Sequence, residues 1–135
     1  MFYLGVDVAK AKLDCVLLNP ESQKRKSKTV ENSSDGLGLL LKALQGWGIE
    51  LGEIHVVMEP TSTYHELAAL ALADAGCTVS LINPAHLRRY AQSVGARSKT
   101  DAADSALLAR YGAAEKPKAW EPPSSSARAL KALLA

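Results

Sequence analysis

The chain has 135 residues, of which 47% are hydrophobic and 22% charged, and its formal net charge is +2 at pH 7. Length and composition are those of one ordinary globular domain with its own core. The sequence has no apolar run of membrane-spanning length, no signal-type N-terminus and no Cys/His cluster with zinc spacing. We therefore expect a cytoplasmic protein without a membrane partner, and buried free thiols at Cys15 and Cys77. So mild a charge does not prove a nucleic-acid partner.

The first stretch, from Phe2 to Val8, is nearly all apolar and carries one carboxylate, Asp7, close to its end. Such a run is typical of a strand buried on both faces in the middle of an α/β sheet. Because an isolated buried carboxylate is costly, we expect Asp7 at the exposed lip of the strand or in a site. The run from Lys12 to Asn19 predicts a second strand, joined to the first as a hairpin whose register the sequence leaves open.

A third strand is predicted from Lys24 to Val30, where basic residues alternate with small polar ones. Lysines along a solvated edge strand prevent association between sheets. Edge protection is the ordinary explanation of these lysines, and a DNA-binding stripe is compatible with it.

Helices and strands alternate over the rest of the chain. Their predicted bounds are a helix from Ser33 or Ser34 to Gly46, a strand Ile54–Met58, a helix from about Thr63 to Ala75, a strand Cys77–Ile82, a helix capped by Asn83 and opened by Pro84, and a helix from Asp101 to about Ala114. The polar, basic segment Ser93–Thr100 predicts a mobile, poorly ordered loop.

Four carboxylates occupy similar places in these elements. Asp7 and Glu59 stand at the ends of two buried strands, and Asp101 and Asp104 lie on one face of the last helix. Neighbouring parallel strands end side by side, where open α/β sheets build sites. Asp104 shares its helix face with the apolar residues that follow it, so we expect it to point toward the sheet.

Convergence of these acids predicts bound cations. Two like charges about 4 Å apart repel by roughly 4 kcal/mol at an effective dielectric near 20. The positive end of the helix dipole stabilises the Asp101 carboxylate by only about 0.3–1 kcal/mol, which is less than this repulsion. Hard divalent ions with oxygen ligands, Mg²⁺ or Mn²⁺, therefore fit best, and two such ions about 3.5–4 Å apart can drive phosphodiester cleavage.

Each acid taken alone has an ordinary structural explanation. Asp7 could cap a turn, Glu59 before Pro60 could simply end a strand, and Asp101 could be a helix N-cap. Only their joint placement favours a metal site, and sequence spacing does not prove that they converge.

Basic residues cluster beside the predicted site. The candidate nucleic-acid contacts are Arg88, Arg89, Arg97, Lys99 and the adjoining Thr100. Such residues bind the phosphate backbone of nucleic acids, although a solvated surface accounts for the cations as well.

Four segments are similar, in order, to the DEDD transposases of bacterial insertion sequences. They are Gly5-Val6-Asp7-Val8-Ala9-Lys10, Glu59-Pro60-Thr61-Ser62-Thr63-Tyr64, Asn83-Pro84 and Lys99-Thr100-Asp101-Ala102-Ala103-Asp104. The resemblance covers essentially residues 1–115, and its Lys-Thr-Asp-x-x-Asp segment is quite specific. It implies a ribonuclease H-like (RuvC-like) α/β fold, in which helices flank a five-stranded mixed sheet.

The resemblance also implies a function. Asp7, Glu59, Asp101 and Asp104 match the family's four metal-binding acids, which implies Mg²⁺-dependent cleavage and rejoining of DNA as a mobile element moves. Family members use a structured guide RNA and assemble as oligomers, so DNA, a guide RNA and further copies of the chain are the implied partners. The family's second domain, which carries a serine nucleophile, has no counterpart here.

These features divide the chain into three parts. Residues 1–115 form the expected DEDD catalytic domain, 116–126 a linker, and 127–135 the start of a helix leading to a missing C-terminal part.

The sequence departs from the family pattern at two positions. Ser62 stands where the family usually has Gly, and Ser105 where Ala is usual, which puts the local turn geometry in question.

Two other functions stay open. One is a stand-alone Holliday-junction resolvase-like endonuclease, which differs in whether the gene continues past Ala135. The other is a nucleic-acid-binding or oligomerisation module with inert acids, which Mn²⁺ titration would distinguish.

Overall fold

A five-stranded mixed sheet forms the centre of the domain. The computed structural model describes residues 1–95 and 101–134 of the chain. The strands are β1 Phe2–Val8, β2 Lys12–Leu18, β3 Arg25–Glu31, β4 Ile54–Met58 and β5 Thr78–Leu81. They lie in the order β3-β2-β1-β4-β5, with β1, β2 and β3 antiparallel to one another in turn and with β4 and β5 parallel to β1. The predicted sheet is therefore confirmed.

Helices cover both faces of this sheet. Their bounds are α1 Ser34–Gly46, α2 Glu66–Asp74, α3 Pro84–Ser93, α4 Asp101–Glu115 and α5 Ser125–Leu134, and a short 3-10 helix, Leu51–Glu53, precedes β4. Ser33 caps α1 by accepting a hydrogen bond from the Gly36 amide. Asn83 caps α3 in the same way at the Ala85 amide, just before the proline that opens the helix.

The helix α2 begins later than the sequence predicts. Its expected start, about Thr63, lies in a turn, and the regular helix begins at Glu66. Ser62 has a φ of 52°, in the left-handed region that a right-handed helix excludes. This conformation favours glycine, which is the residue that the resembled family usually has at this position. Ser62 therefore differs from the family pattern at a position where the backbone geometry matters.

Alternate residues of β1 face two different layers. Leu4 and Val6 join the main core with Leu40 of α1 and Leu72 of α2. The other face of the sheet is covered by α4, which packs across β1, β2 and β4. The central strand is therefore buried on both faces, as its continuous apolar sequence predicts.

Two glycines let α4 lie directly on the sheet. A Cβ added to Gly5 would come within 1.9 Å of the Ser105 carbonyl oxygen. A Cβ added to Gly112 would meet the side chains of Val57 and Tyr3 at 2.7 Å and 2.9 Å. Because Gly112 lies beside the start of β1 and Ser105 beside its middle, α4 runs antiparallel to β1.

The residues that follow α4 run along β5. The Trp120 amide donates to the Val79 carbonyl oxygen at 2.7 Å, and the Ser80 hydroxyl donates to the Lys118 carbonyl oxygen at 2.7 Å. The same hydroxyl lies 2.7 Å from Nε2 of His55, so a buried polar chain joins β4, β5 and this segment. Part of the segment predicted as a linker thus lies on the edge of the sheet.

Three smaller expectations concern thiols, a loop and membranes. Cys15 and Cys77 are free and buried, and burial raises the pKa of their thiols to about 12 and about 11, with the Asp14 charge contributing at Cys15. The predicted mobile loop begins inside α3, and its part from residue 96 to Thr100 lies outside the described residues. None of the helices in the described ranges is long and apolar enough to cross a bilayer.

Candidate metal centre at the rim of the sheet

Asp7 and Glu59 lie at the rim of the sheet where β1 and β4 end. The parallel register pairs Val6 with Met58, so the next residue on each strand is one of these acids. Neighbouring strands are about 4.8 Å apart, and residues in register share a face of the sheet. Both carboxylates are half-buried. The backbone therefore brings two acids that are distant in sequence to one rim.

Asp104 approaches this rim from the helix that covers it. Gly5 packs against Ser105, and Asp7 lies two residues further along the same face of β1, about 6.7 Å closer to the rim. Since α4 runs antiparallel to β1, the helix residues that precede Ser105 lie at the level of Asp7. Asp104 is the residue directly before Ser105, and its side chain is half-buried.

The electrostatics of Glu59 agree with this placement. Burial raises the pKa of the Glu59 carboxyl, and the negative charge of Asp104 raises it further. Arg88 acts in the opposite direction and lowers the pKa of Glu59. A carboxyl whose ionisation is opposed by burial and by a neighbouring negative charge is a group that a bound cation would stabilise.

Asp101 opens α4 one turn before Asp104, at the predicted spacing on the helix. The predicted site residues that lie outside the described part are the Asp101 side chain, Arg97, Lys99 and Thr100.

The donor chemistry of the rim suits a hard divalent cation. Its acidic side chains offer carboxylate oxygens, the ligands that Mg²⁺ and Mn²⁺ prefer. Among the side chains that the structure describes, no three of the types His, Cys, Asp and Glu are grouped closely enough to hold an ion. Asp7, Glu59 and Asp104 therefore do not form such a group by themselves in this structure, and the one remaining predicted ligand is Asp101.

The two arginines on α3 lie in different surroundings. Arg88 is exposed, and its charge acts on Glu59 at the rim. Arg89 instead lines an open groove of about 360 Å³ between α3 and α4. Burial raises the pKa of Tyr111 in that groove, and Arg89 counteracts this effect. Of the two, Arg88 is the basic residue at the rim.

Asp14 is a further rim carboxylate, to which no motif in the sequence points. It pairs directly with Asp7 in the hairpin, so the two side chains share a face of the sheet. The Thr29 hydroxyl donates to one Asp14 oxygen at 2.7 Å, and Nζ of Lys12 lies 3.6 Å from the other. The sequence does show a charged residue inside an apolar strand. Whether that residue lies beside Asp7, however, depends on the register of the hairpin, which the short link between the strands does not define.

Asn32 joins the loops that follow both acid-bearing strands. Its Nδ2 donates to the carbonyl oxygens of Ala9 and Tyr64, at 2.9 Å in each case. Ala9 follows Asp7 by two residues, and Tyr64 lies in the turn after Glu59. No sequence pattern pointed to Asn32, because its partners are 23 and 32 residues away.

The mixed five-stranded sheet with its flanking helices is a ribonuclease H-like fold. The structure is similar to that of Thermus thermophilus RuvC in complex with a Holliday junction substrate, with a TM-score of 0.59 and 16% identity over 88% of this chain and 98% of that one. A second Thermus thermophilus RuvC structure gives a TM-score of 0.58 with 15% identity, over 89% of this chain and 100% of that one. At such identities the likeness shows the fold alone, and it confirms the predicted RuvC-like fold class.

Sequence comparison gives the family. The model of the DEDD transposases of the IS110 type, described as transposase, matches residues 4–135, so the chain belongs to that family. The pilin gene-inverting protein of Moraxella bovis is 36% identical over 132 residues, which are 98% of this chain and 40% of that protein. The corresponding protein of Moraxella lacunata is 35% identical over the same shares. An uncharacterized 43.6 kDa protein of insertion element IS110 from Streptomyces coelicolor is 29% identical over 79% of this chain and 26% of its own length.

The chain thus spans about 40% of the length of the two Moraxella relatives. The predicted family is confirmed.

Proposed function

We propose that this chain is the acid-bearing catalytic domain of a DNA transposase or recombinase. The reaction is metal-dependent cleavage and strand transfer of DNA phosphodiesters during movement of an insertion sequence. The observation that carries this proposal is the rim itself, where Asp7 and Glu59 end adjacent parallel strands and Asp104 approaches on the helix packed across them. Membership of a transposase family supports the same function.

The proposed ligands of the metal are Asp7, Glu59, Asp101 and Asp104. When bound, two Mg²⁺ or Mn²⁺ ions supply an activated oxygen nucleophile and stabilise the leaving oxygen of the phosphodiester. The effect of Asp104 on the pKa of Glu59 supports this assignment, because a cation bound there would relieve the repulsion felt by the half-buried Glu59 carboxylate.

The other groups of the chain hold and position the nucleic acid. Arg88 stands beside Glu59, where a guanidinium can bind a phosphate oxygen of the strand to be cut. Arg89, Arg97, Lys99 and Thr100 are proposed as further backbone contacts. Asn32 acts through the backbone, because its two hydrogen bonds fix the loops that carry the chain away from the acids.

A stand-alone resolvase-like endonuclease is the second candidate. It is favoured by one observation, namely that the structural match extends over 98% of a RuvC chain, a protein solved with a Holliday junction. The family match and the invertase-type relatives favour the transposase or recombinase function over it.

A metal-dependent stability measurement tests the acidic site directly. If Mn²⁺ binds the folded rim with a dissociation constant of about 1 mM, then 10 mM Mn²⁺ raises the free energy of unfolding by about 1.4 kcal/mol. The variant Asp104→Asn should be more stable than wild type without metal, because it removes a repulsive charge, and should lose the response to Mn²⁺.

The matched control is Asp35→Asn, which removes an exposed carboxylate from the first turn of α1 and should keep the full response. Absence of any Mn²⁺ response in the wild-type chain, measured by urea unfolding and by calorimetric titration, would leave an inert binding module as the better description.

Further features are proposed from the family resemblance and from the sequence itself. They are a guide RNA, assembly as a homo-oligomer, a cytoplasmic location and the division into a catalytic domain at 1–115, a linker at 116–126 and a further helix from 127.

A further inference from the structure

A basic groove lies at the opposite end of β1 from the acidic rim. It encloses about 480 Å³ and is lined by the turn between β2 and β3, by the start of β3 and by the turn after α1. Phe2 and Leu17 form part of its apolar wall, and Trp47 closes one side. Phe2 precedes Asp7 by five strand residues, so the groove and the rim are about 17 Å apart along β1.

Four cations lie in five consecutive positions at this edge of the sheet: Lys24, Arg25, Lys26 and Lys28. All four are exposed, and β3 is an edge strand. The first three line the groove. In the described part of the chain none of them forms an ion pair with a carboxylate. Edge protection explains lysines on a strand, but it does not explain why three cations surround a cavity.

Trp47 gives the groove a flat apolar surface. It follows the last residue of α1 and is partly buried against the main core, which fixes its ring. Nζ of Lys26 lies over this ring, 5.5 Å from its centroid, so a base that stacks on the indole has to displace this ammonium. A fixed indole beside cations can stack on a nucleobase while the cations bind the adjoining phosphates.

We propose that this groove binds a single-stranded polynucleotide, with a base against Trp47 and the phosphates on Lys24, Arg25 and Lys26. Residues two apart on an extended strand are about 6.7 Å apart and lie on the same face, so Lys26 and Lys28 of β3 form a short row of like charges, and Lys24 directly precedes the strand. A row of cations suits a polyanion in extended form. The apolar wall and the aromatic ring favour a nucleobase over an acidic peptide, which offers charge without a flat ring.

The groove is separate from the acids, so its test needs no metal. Fluorescein-labelled 12-mers of deoxythymidine and of uridine are titrated with the chain in EDTA, and anisotropy is followed at several salt concentrations. The two oligonucleotides share phosphates and a pyrimidine, and comparing them shows whether DNA or RNA is the preferred source of the strand. Failure of both to bind would overturn the proposal without touching the metal site.

The double variant Lys24→Gln, Lys26→Gln removes two proposed phosphate contacts from exposed positions. It should weaken binding by about 25-fold at 0.1 M salt and reduce the salt slope by about 1.4. The matched control is Lys116→Gln, Lys118→Gln, which removes two exposed charges near the opposite edge of the sheet and should retain wild-type affinity. Equal losses in both double variants would mean general attraction to a basic protein and would overturn the assignment.

Trp47 provides an independent readout. Oligonucleotide binding should quench tryptophan fluorescence, and the variant Trp47→Phe, which keeps an aromatic ring in place, should lose this quench while remaining folded. Unlabelled poly-glutamate of the same charge should displace the 12-mers poorly. Quenching that persists in Trp47→Phe, or displacement by poly-glutamate as effective as by unlabelled oligonucleotide, would refute a groove built for nucleic acid.

Discussion

Replacing Gly5 by alanine tests the packing that carries Asp104 to the rim. The added Cβ would lie 1.9 Å from the Ser105 carbonyl oxygen and 2.7 Å from the Ala109 backbone nitrogen. Ordinary contact begins near 3.4 Å, so α4 has to move away from β1 by about 1.5 Å. Both neighbours are backbone atoms of one helix, and no side-chain rotation relieves the clash.

The cost follows from the rigidity of both partners. Overpacking a core usually costs about 1–3 kcal/mol, and we expect Gly5→Ala at the upper end because backbone meets backbone. For a domain of this size, about 3 kcal/mol lowers the melting temperature by about 10 °C. The displaced helix also carries Asp104, so the variant should lose the Mn²⁺ response even where it remains folded.

Urea unfolding followed by circular dichroism measures the effect, with Gly38→Ala as the control. Gly38 lies inside α1 and an added Cβ there meets nothing within 4 Å, so alanine should stabilise the helix by about 0.5–1 kcal/mol. A Gly5→Ala protein as stable as wild type, with an intact Mn²⁺ response, would show that α4 does not lie on β1 as described.

Three further substitutions test the turn after β4, the loops that Asn32 joins and the buried polar chain at His55. Ser62→Gly should stabilise the chain by up to about 1 kcal/mol in urea unfolding, because relief of a left-handed φ of 52° outweighs the added freedom of the unfolded chain; destabilisation would refute this. Asn32→Ala should cost about 1–2 kcal/mol for two lost hydrogen bonds, against less for Asn19→Ala, whose two bonds lie in one exposed turn. Burial lowers the pKa of His55, so the unfolded chain takes up a proton first and stability falls as the pH drops below about 6.5. The difference in unfolding free energy between wild type and His55→Gln should change by up to about 1.4 kcal/mol per pH unit in that range, and a difference independent of pH would contradict the assignment.

The elements that place the acids could be predicted because their cause is local. The apolar runs of β1 and β4 are long enough to indicate buried strands, and buried strands of an α/β domain lie side by side. The placement of Asp104 could be predicted from the 3.6-residue period of α4, because this period puts Asp104 on the helix face that packs against the sheet. These inferences need only composition and period.

The parts that could not be predicted depend on register and on contacts across the chain. Asp14 lies beside Asp7 only because the hairpin pairs these two positions, and a shift of one residue would put it on the opposite face. Asn32 joins segments that the sequence separates widely. The late start of α2 depends on the backbone conformation of one residue, Ser62, in a stretch whose composition suits a helix.

The net charge of the chain does not reveal that its acidic and basic residues lie in different places. The formal value of +2 arises because 16 cations and 14 anions nearly cancel in number. They do not cancel in space, since acids gather where β1 ends, whereas Arg25 and Lys26 lie level with Tyr3 and Leu4 near its beginning. At 0.1 M salt charges are screened over about 10 Å, which is shorter than the separation of about 17 Å along the strand. If both proposals hold, a polyanion meets two separate surfaces: a cationic groove that attracts it directly, and a rim that repels it unless the proposed divalent ions are bound.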